Sequence, residues 1–267
     1  MNDTTREVAR EARSSTVLRL LARGGYAANG LVHVMIGVVA FVIAFGGRGK
    51  SDQTGAFTTI ATAPLGFAAL WVIAALLAGL GLWHVAAGTA VLRSSDAKKW
   101  GVRLSEWGQA AVFLALAVIA ATVALGSRPD ANETVQQASR GVLTVPGGPW
   151  LLGLVGIGIG IGGIAFIVMG VRRSYRNKVT IPRGALEVFV TALGSVGFVA
   201  KGIALSVLAV LLVIAAVRVD PDTAGGLDSA IRALLEVTGG PAIVAAVGAG
   251  FVAYGIFCFF RARYARL

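Results

Sequence analysis

Three ionisable side chains lie inside long apolar stretches of this 267-residue sequence: His33, His84 and Lys201. A charge at the centre of a bilayer costs about 2.5–3.5 kcal/mol even on the most lenient scale, so each is a functional candidate if those stretches cross a membrane. His33 follows the start of one stretch by about eight residues and His84 precedes the end of the next by about eight, so both lie about 12 Å from one membrane face. Two imidazoles at one depth could ligate a haem iron axially. The other interpretation is that they make interhelical hydrogen bonds or face a small wet cavity.

Lys201 also has two interpretations. Its four-carbon stem could lift the ammonium to the lipid headgroups. Alternatively, the lysine faces neighbouring helices, where it could hold an anionic lipid headgroup or a helix C-terminal carbonyl. Asn29 occupies the corresponding position of an internal repeat, so Asn29 and Lys201 are the candidate lipid or pathway residues.

The fourth apolar stretch holds seven glycines. Gly158, Gly160 and Gly163 fit G-x-G-x-x-G, but a dinucleotide-binding motif needs a preceding strand and a later acidic residue that this stretch lacks. The pairs Gly156/Gly160 and Gly158/Gly162 instead have the small-xxx-small spacing with which membrane helices pack closely. We expect the neighbouring helix to belong to the same chain; the alternative is another subunit.

Catalytic and metal-binding patterns are missing from the sequence. One cysteine, Cys258, and two histidines cannot form a disulfide framework or a cysteine-based zinc site. No Ser-His-Asp arrangement, phosphate-binding loop or helical metalloprotease motif is present. Glu106 and Glu187 lie at predicted span entrances, so we expect no carboxylate inside a span, which argues against an ion-coupled transporter. We therefore predict no catalytic residue, no metal site, no cofactor, and a protein that is not an enzyme.

The elements that position these residues are predicted to be membrane helices. Hydrophobic residues make up 56% of the chain and charged residues 14%, whereas soluble domains carry about 25% charged residues. Alternating strands are absent, so the predicted fold class is all-α, an integral-membrane bundle of six transmembrane helices. Each apolar stretch has the roughly 20 residues that a crossing needs. The six stretches are Gly25 to Phe45, Leu65 to Leu92, Trp107 to Gly126, Trp150 to Val171, Val188 to Val217 and Ala242 to Phe260.

The basic residues indicate the orientation. Seventeen of the 24 lysines and arginines lie on the side of the termini, and six lie on the other side. Because positive charge is retained in the cytoplasm, we expect both termini to be cytoplasmic in a bacterial plasma membrane. The net charge of +11 is then a topology signal with some attraction to anionic headgroups. It does not indicate nucleic-acid binding, because the basic residues do not follow one polar face.

Two further patterns concern the ends of the spans. Residues 131–143 and 227–237 are amphipathic and predict short helices on the outer surface. Aromatic residues near span ends are expected to anchor the helices at the interface; they are Tyr26, Trp107, Trp150 and Tyr264.

An internal repeat organises the chain. The first span opens with GYAANGL (residues 25–31), the fifth contains GFVAKGI (197–203), and a degenerate copy, WGQAAVF, occupies 107–113. At these residues the sequence resembles the actinobacterial membrane family catalogued as domain of unknown function 1206. The resemblance implies three tandem helix pairs from about residue 23 to 261 and no established activity. The predicted organisation is an N-terminal cytoplasmic segment, 1–22, and repeats over 23–99, 100–183 and 184–267, the last with a short basic tail.

The function predicted from these features is that of a non-enzymatic structural or accessory component of a membrane assembly. Its predicted partners are membrane lipids, including anionic headgroups, and other membrane proteins, with no nucleic acid. The alternative is a small-solute or ion channel or carrier with a pathway along the repeat axis, lined by Asn29, Lys201 and Ser206.

Overall fold

A computed structural model describes residues 14–91, 96–181 and 184–266, together with Glu7 and Glu11. Within these residues the chain is helical and contains no extended β-strand. The α-helices are α1 Thr16–Ala44, α2 Gln53–Thr62, α3 Gly66–Thr89, α4 Asp96–Ala124, α5 Ala131–Leu143, α6 Gly148–Arg172, α7 Ala185–Arg218, α8 Leu227–Leu235 and α9 Gly240–Tyr264. Short 3₁₀ helices cover Ser174–Lys178 and Pro221–Thr223.

Six of these helices are long and apolar enough to cross a membrane, which confirms the predicted all-α fold of six spans. The spanning segments are Thr16–Ala44, Gly66–Thr89, Lys99–Ala124, Gly148–Arg172, Ala185–Arg218 and Gly240–Tyr264. The chain is therefore a multi-pass membrane protein.

Two spans begin earlier than their apolar stretches. Helix α1 begins at Thr16 and α4 at Asp96, about nine to eleven residues before the predicted starts. Arginine and lysine are good helix formers, so a helix can begin in the polar segment that precedes the apolar stretch. Arg103, which precedes the predicted third span, consequently lies in α4 and is only 5% exposed.

A short connecting helix joins the two spans of each pair. Helix α5 matches the predicted range, and α8 ends two residues earlier than predicted. Helix α2 was not predicted, because its threonines and glycine are poor helix formers. It is stabilised instead by an N-terminal cap, in which Asp52 Oδ1 accepts hydrogen bonds from Thr54 Oγ1 and the Gly55 N–H, both at 2.7 Å, and by complete burial of Phe57.

The turn into the second span of each pair has the same backbone form in all three repeats. The residue before the span has a positive φ: 60° at Leu65, 79° at Gly147 and 76° at Gly239. The next residue is a glycine each time, and a Cβ there would collide with a carbonyl oxygen of the connecting helix. Pro149 and Pro241 follow in the first helical turn, whereas Pro64 lies ahead of its helix.

The chain forms two compact units. Unit 1 comprises residues 1–29, 60–127 and 258–267, and unit 2 comprises residues 30–59 and 128–257. In unit 1, α3 packs on α4; in unit 2, α6 packs on α7. Glycines allow close approach within unit 2, since a Cβ at Gly163 would lie 2.9 Å from the Gly202 oxygen and one at Gly255 would lie 2.5 Å from the Gly30 oxygen.

Candidate functional site

A chain of hydrogen-bonded side chains runs through the interior of unit 1. We call it the Tyr26 cluster; it consists of Tyr26, His84, Glu106 and Arg261, from α1, α3, α4 and α9. The Arg261 Nη2 donates to the Tyr26 Oη at 3.0 Å, and the Tyr26 Oη lies 3.3 Å from His84 Nε2. His84 Nδ1 lies 2.7 Å from Glu106 Oε2. Tyr26 and His84 are 2% and 1% exposed, so these bonds are shielded from solvent.

The proton positions in the Tyr26 cluster are consistent with one another. With Nδ1 protonated, the neutral imidazole of His84 donates to Glu106 and accepts the phenol proton of Tyr26. The Tyr26 oxygen in turn accepts from Arg261, whose guanidinium carbon lies 4.1 Å from the centre of the Tyr26 ring. Phe113 stacks on the imidazole at 5.4 Å. The cluster can hold four helices together, and its linked donors and acceptors can also pass a proton between Tyr26 and Glu106.

Two expectations from the sequence are wrong at this cluster. Glu106 is not confined to a span entrance, because its carboxylate is bonded to an imidazole inside the described part of the α4 span. Tyr26 is not an interfacial anchor, because it is buried. Both errors arise because the helices extend further than their apolar stretches and bring polar residues from the span ends into the interior.

Asn29 lies one turn further along α1 and faces α9. Its Nδ2 lies 3.5 Å from the Sγ of Cys258, and both side chains are buried. This contact is within unit 1 and away from the lipid-facing surface. Its role as a lipid or pathway residue stays a prediction.

A second cluster lies in unit 2 around Lys201, which we call the Lys201 cluster. The Lys201 ammonium lies 3.3 Å from His33 Nε2, 4.7 Å from the ring centre of Tyr254 and 5.3 Å from that of Phe166. His33 packs on Tyr254 with ring centres 4.8 Å apart. The lysine is therefore turned towards other helices, where its ammonium lies against the His33 imidazole and two aromatic faces. These contacts favour the second interpretation of Lys201 over the one that places its ammonium in the headgroups.

The two histidines belong to different clusters in different units. Both ring nitrogens of His84 take part in hydrogen bonds of the Tyr26 cluster, and His33 uses Nε2 for Lys201. Haem ligation would require His84 to give up one of these bonds, and the role stays a prediction.

The two glycine pairs of α6 lie on different faces of the helix. A Cβ at Gly156 would lie 2.9 Å from Val213 Cγ2, and one at Gly160 would lie 3.3 Å from Ala209 Cβ, so this pair faces α7 of the same chain. A Cβ at Gly158 or Gly162 would meet no atom within 4 Å. We call the surface around Gly158 and Gly162 the open face of α6.

Sequence reasoning missed a polar network between the connecting segments of all three repeats, within unit 2. Asp228, 3% exposed, accepts hydrogen bonds from the Ser51 N–H at 2.9 Å, the Ser51 hydroxyl at 3.0 Å and Arg232 Nε at 2.8 Å. Asn132 Nδ2 approaches Asp228 Oδ2, the oxygen that also accepts from Arg232, at 3.4 Å. Asn132 Oδ1 accepts from the Gly226 N–H at 2.8 Å. The only signal in the sequence was an aspartate in the first turn of an amphipathic helix, which is common on solvated surfaces.

An ion pair lies beside this network. Lys50 Nζ and Asp130 Oδ2 are 2.5 Å apart. The hydrogen bond between them raises the pKa of Lys50 and lowers the pKa of Asp130. The neighbouring carboxyl of Asp52 shifts in the other direction from that of Asp130, because burial raises its pKa. Its Oδ2 is buried and has no hydrogen-bond donor among the described residues.

Three tandem pairs of membrane helices, with a connecting helix inside each pair, define a class of repeat membrane proteins. The chain belongs to the family described as Domain of Unknown Function (DUF1206), whose model matches residues 24–90, 107–173 and 196–265. This confirms the resemblance and the threefold repeat. Asn29 lies in the first matched segment and Lys201 in the third; their correspondence rests on the repeat of the sequence.

The chain also resembles an uncharacterized protein, YxxB, of Bacillus subtilis (strain 168). The two are 28% identical over 251 residues, which is 92% of this chain and 91% of the relative. No solved structure matches the chain. The family and the relative therefore support the architecture and assign no activity.

Proposed function

We propose that the protein is a non-enzymatic accessory component of a larger assembly in a bacterial plasma membrane, with both termini in the cytoplasm. Its partners are other membrane proteins, bound through the open face of α6, and membrane lipids. The orientation is supported by the excess of lysine and arginine on the side of the termini.

The observation that carries this proposal is the open face of α6. Only 17% of the apolar window of this helix is buried within the chain, compared with 33% or more for each of the other five spans. Gly158 and Gly162 have the spacing that allows another membrane helix to approach the backbone, and Ile157 and Ile161 beside them are 53% and 64% exposed. In lipid, helices associate through this kind of close packing.

The test is native mass spectrometry of the protein gently extracted from its own membrane, comparing the wild type with Gly158→Leu/Gly162→Leu. A Cβ at either position would meet no atom within 4 Å, so we expect the double variant to keep the fold while its leucine side chains block the approach of a partner helix. Gly108→Leu in α4 is the matched control, because a Cβ there also meets nothing within 4 Å. We expect a partner polypeptide in fixed ratio with the wild type and the control, and its loss in the double variant. A wild-type chain that carries no polypeptide, or a partner kept by the double variant, contradicts the proposal.

The second candidate is a channel or carrier, and the Tyr26 and Lys201 clusters favour it. They provide a carboxylate, two imidazoles and an ammonium inside the spans, and such groups form proton relays in transporters. Ser206, the third predicted pathway residue, donates to the Gly202 carbonyl of its own helix at 2.9 Å. Flux of protons or small ions into liposomes containing the purified protein, lost in Lys201→Met and in Glu106→Gln, would support this candidate. Liposomes that stay sealed would exclude it.

A further inference from the structure

The first two turns of α1 form a groove with two guanidinium groups. Its lining includes Thr16, Arg19, Leu20 and Arg23. These residues are spaced three and four apart, so their side chains share one face of the helix. Arg19 and Arg23 thus present two positive charges and several N–H donors to the same space.

No carboxylate of this helix neutralises the groove. The first turn of α1 contains no acidic residue. The Nε of Arg23 is buried and has no hydrogen-bond acceptor among the described residues. Arg19 is exposed and Arg23 is half-buried, so the outer N–H groups of the two guanidinium groups can donate to an oxyanion that occupies the groove. The fork of donors on an arginine matches the oxygens of a phosphate, and Thr16 adds a hydroxyl.

The apolar residues of the groove indicate where that phosphate comes from. Leu20 lines the groove and is 61% exposed, and Val17 beside it is 67% exposed. An inorganic phosphate would make no use of these side chains, whereas a lipid would place its headgroup on the arginines and its acyl chain along them. The position also fits, because the groove lies at the start of the spanning segment Thr16–Ala44.

We infer that Arg19 and Arg23, with Thr16, bind the phosphate of an anionic phospholipid against the start of α1. This site uses none of the residues of the open face of α6. The inference rests on the lipid partners of the proposed function, but it is independent of the α6 interface, so loss of lipid binding and loss of a partner polypeptide can be distinguished.

The experiment is native mass spectrometry of the purified full-length chain in a mild detergent, titrated with phosphatidylglycerol, with phosphatidylcholine, and with inorganic phosphate. The test variant is Arg19→Gln/Arg23→Gln. The control is Arg172→Gln/Arg173→Gln, which removes the same charge from two exposed arginines at the end of α6, on the same side of the membrane in the proposed topology. The Tm of each variant without added lipid reports whether the fold is retained.

We expect phosphatidylglycerol to bind the wild type and the control variant with apparent Kd values within about twofold of each other. The test variant should bind it at least about tenfold more weakly, since each arginine near an anionic headgroup contributes substantially to the affinity. If both double variants bind phosphatidylglycerol equally more weakly than the wild type, the effect is one of general surface charge, and the proposed site is wrong. Displacement of phosphatidylglycerol by millimolar inorganic phosphate, or equal binding of phosphatidylcholine, would overturn the assignment of an anionic lipid.

Discussion

Removal of one hydroxyl, by Tyr26→Phe, tests whether the Tyr26 cluster holds the helices of unit 1 together. The substitution keeps the ring, which is 2% exposed and packs beside Leu80 and Trp83. It deletes the oxygen that accepts from Arg261 and donates to His84. The packing is unchanged, so the measured effect belongs to the two hydrogen bonds.

The magnitude follows from the number of bonds lost and their burial. Side-chain hydrogen bonds between membrane helices contribute about 0.6 kcal/mol on average and up to about 1.7 kcal/mol. Two bonds are lost, and a buried donor on Arg261 and acceptor on His84 lose their phenol partner. We expect Tyr26→Phe to lower the free energy of unfolding by about 1–3 kcal/mol.

The assay is reversible unfolding of the full chain in mixed micelles, with the fraction of denaturing detergent increased stepwise and helix content followed by circular dichroism. Tyr264→Phe is the control, since no hydrogen bond of this hydroxyl is found in the described part of the chain. Glu106→Gln and the double variant complete a cycle, because Glu106 and Tyr26 are joined through His84. A loss below about 0.5 kcal/mol in Tyr26→Phe, or strict additivity of the two changes, would refute the linked chain of hydrogen bonds.

Three further predictions concern the connecting segments. Leu65→Gly should raise the free energy of unfolding by up to about 1 kcal/mol, because Leu65 has a left-handed φ of 60° and an 84% exposed side chain; a lower value in the same micelle assay would contradict this. Asp228→Ala should lower the free energy of unfolding by about 2–3 kcal/mol, because it leaves two buried donors of Ser51 without an acceptor. A change of less than about 0.5 kcal/mol would argue against the network. Burial raises the pKa of Asp52 above its unfolded value, so this carboxyl favours the fold below the unfolded pKa and loses that contribution as pH rises through the folded pKa. Asp52→Asn keeps a capping side chain and should remove part of the gain in Tm on acidification; an unchanged pH profile would exclude Asp52 as its source.

The six spans and two of the three connecting helices could be predicted because they depend on long-range apolar content and on helical periodicity. Helix α2 could not, since its stability comes from the cap at Asp52 and from burial of Phe57, whereas its own residues are weak helix formers. Three of the ionisable residues inside the spans could also be predicted, namely His33, His84 and Lys201.

Their partners could not be predicted, because apolar sequence does not define the rotation of a helix about its axis. His33 meets Lys201, 168 residues away in the chain, and nothing local in either segment marks the pair. The third apolar stretch begins only at Trp107, so the sequence places Glu106 outside the span. The helix itself continues, and its carboxylate reaches His84.

The network at Asp228 has a consequence for how the protein is made. The Asp228 carboxylate, which accepts from Ser51 and lies near Asn132, belongs to the third repeat. These contacts therefore cannot form until residue 228 has been synthesised. The same delay applies to Gly30, which packs against Gly255 of the last helix. A ribosome that stops after the second repeat would release a chain whose first span still lacks the neighbour it is shaped to fit. Membrane insertion can proceed one helix pair at a time, but unit 2 is completed only by the final pair, which makes the unfinished chain a natural target for membrane quality control.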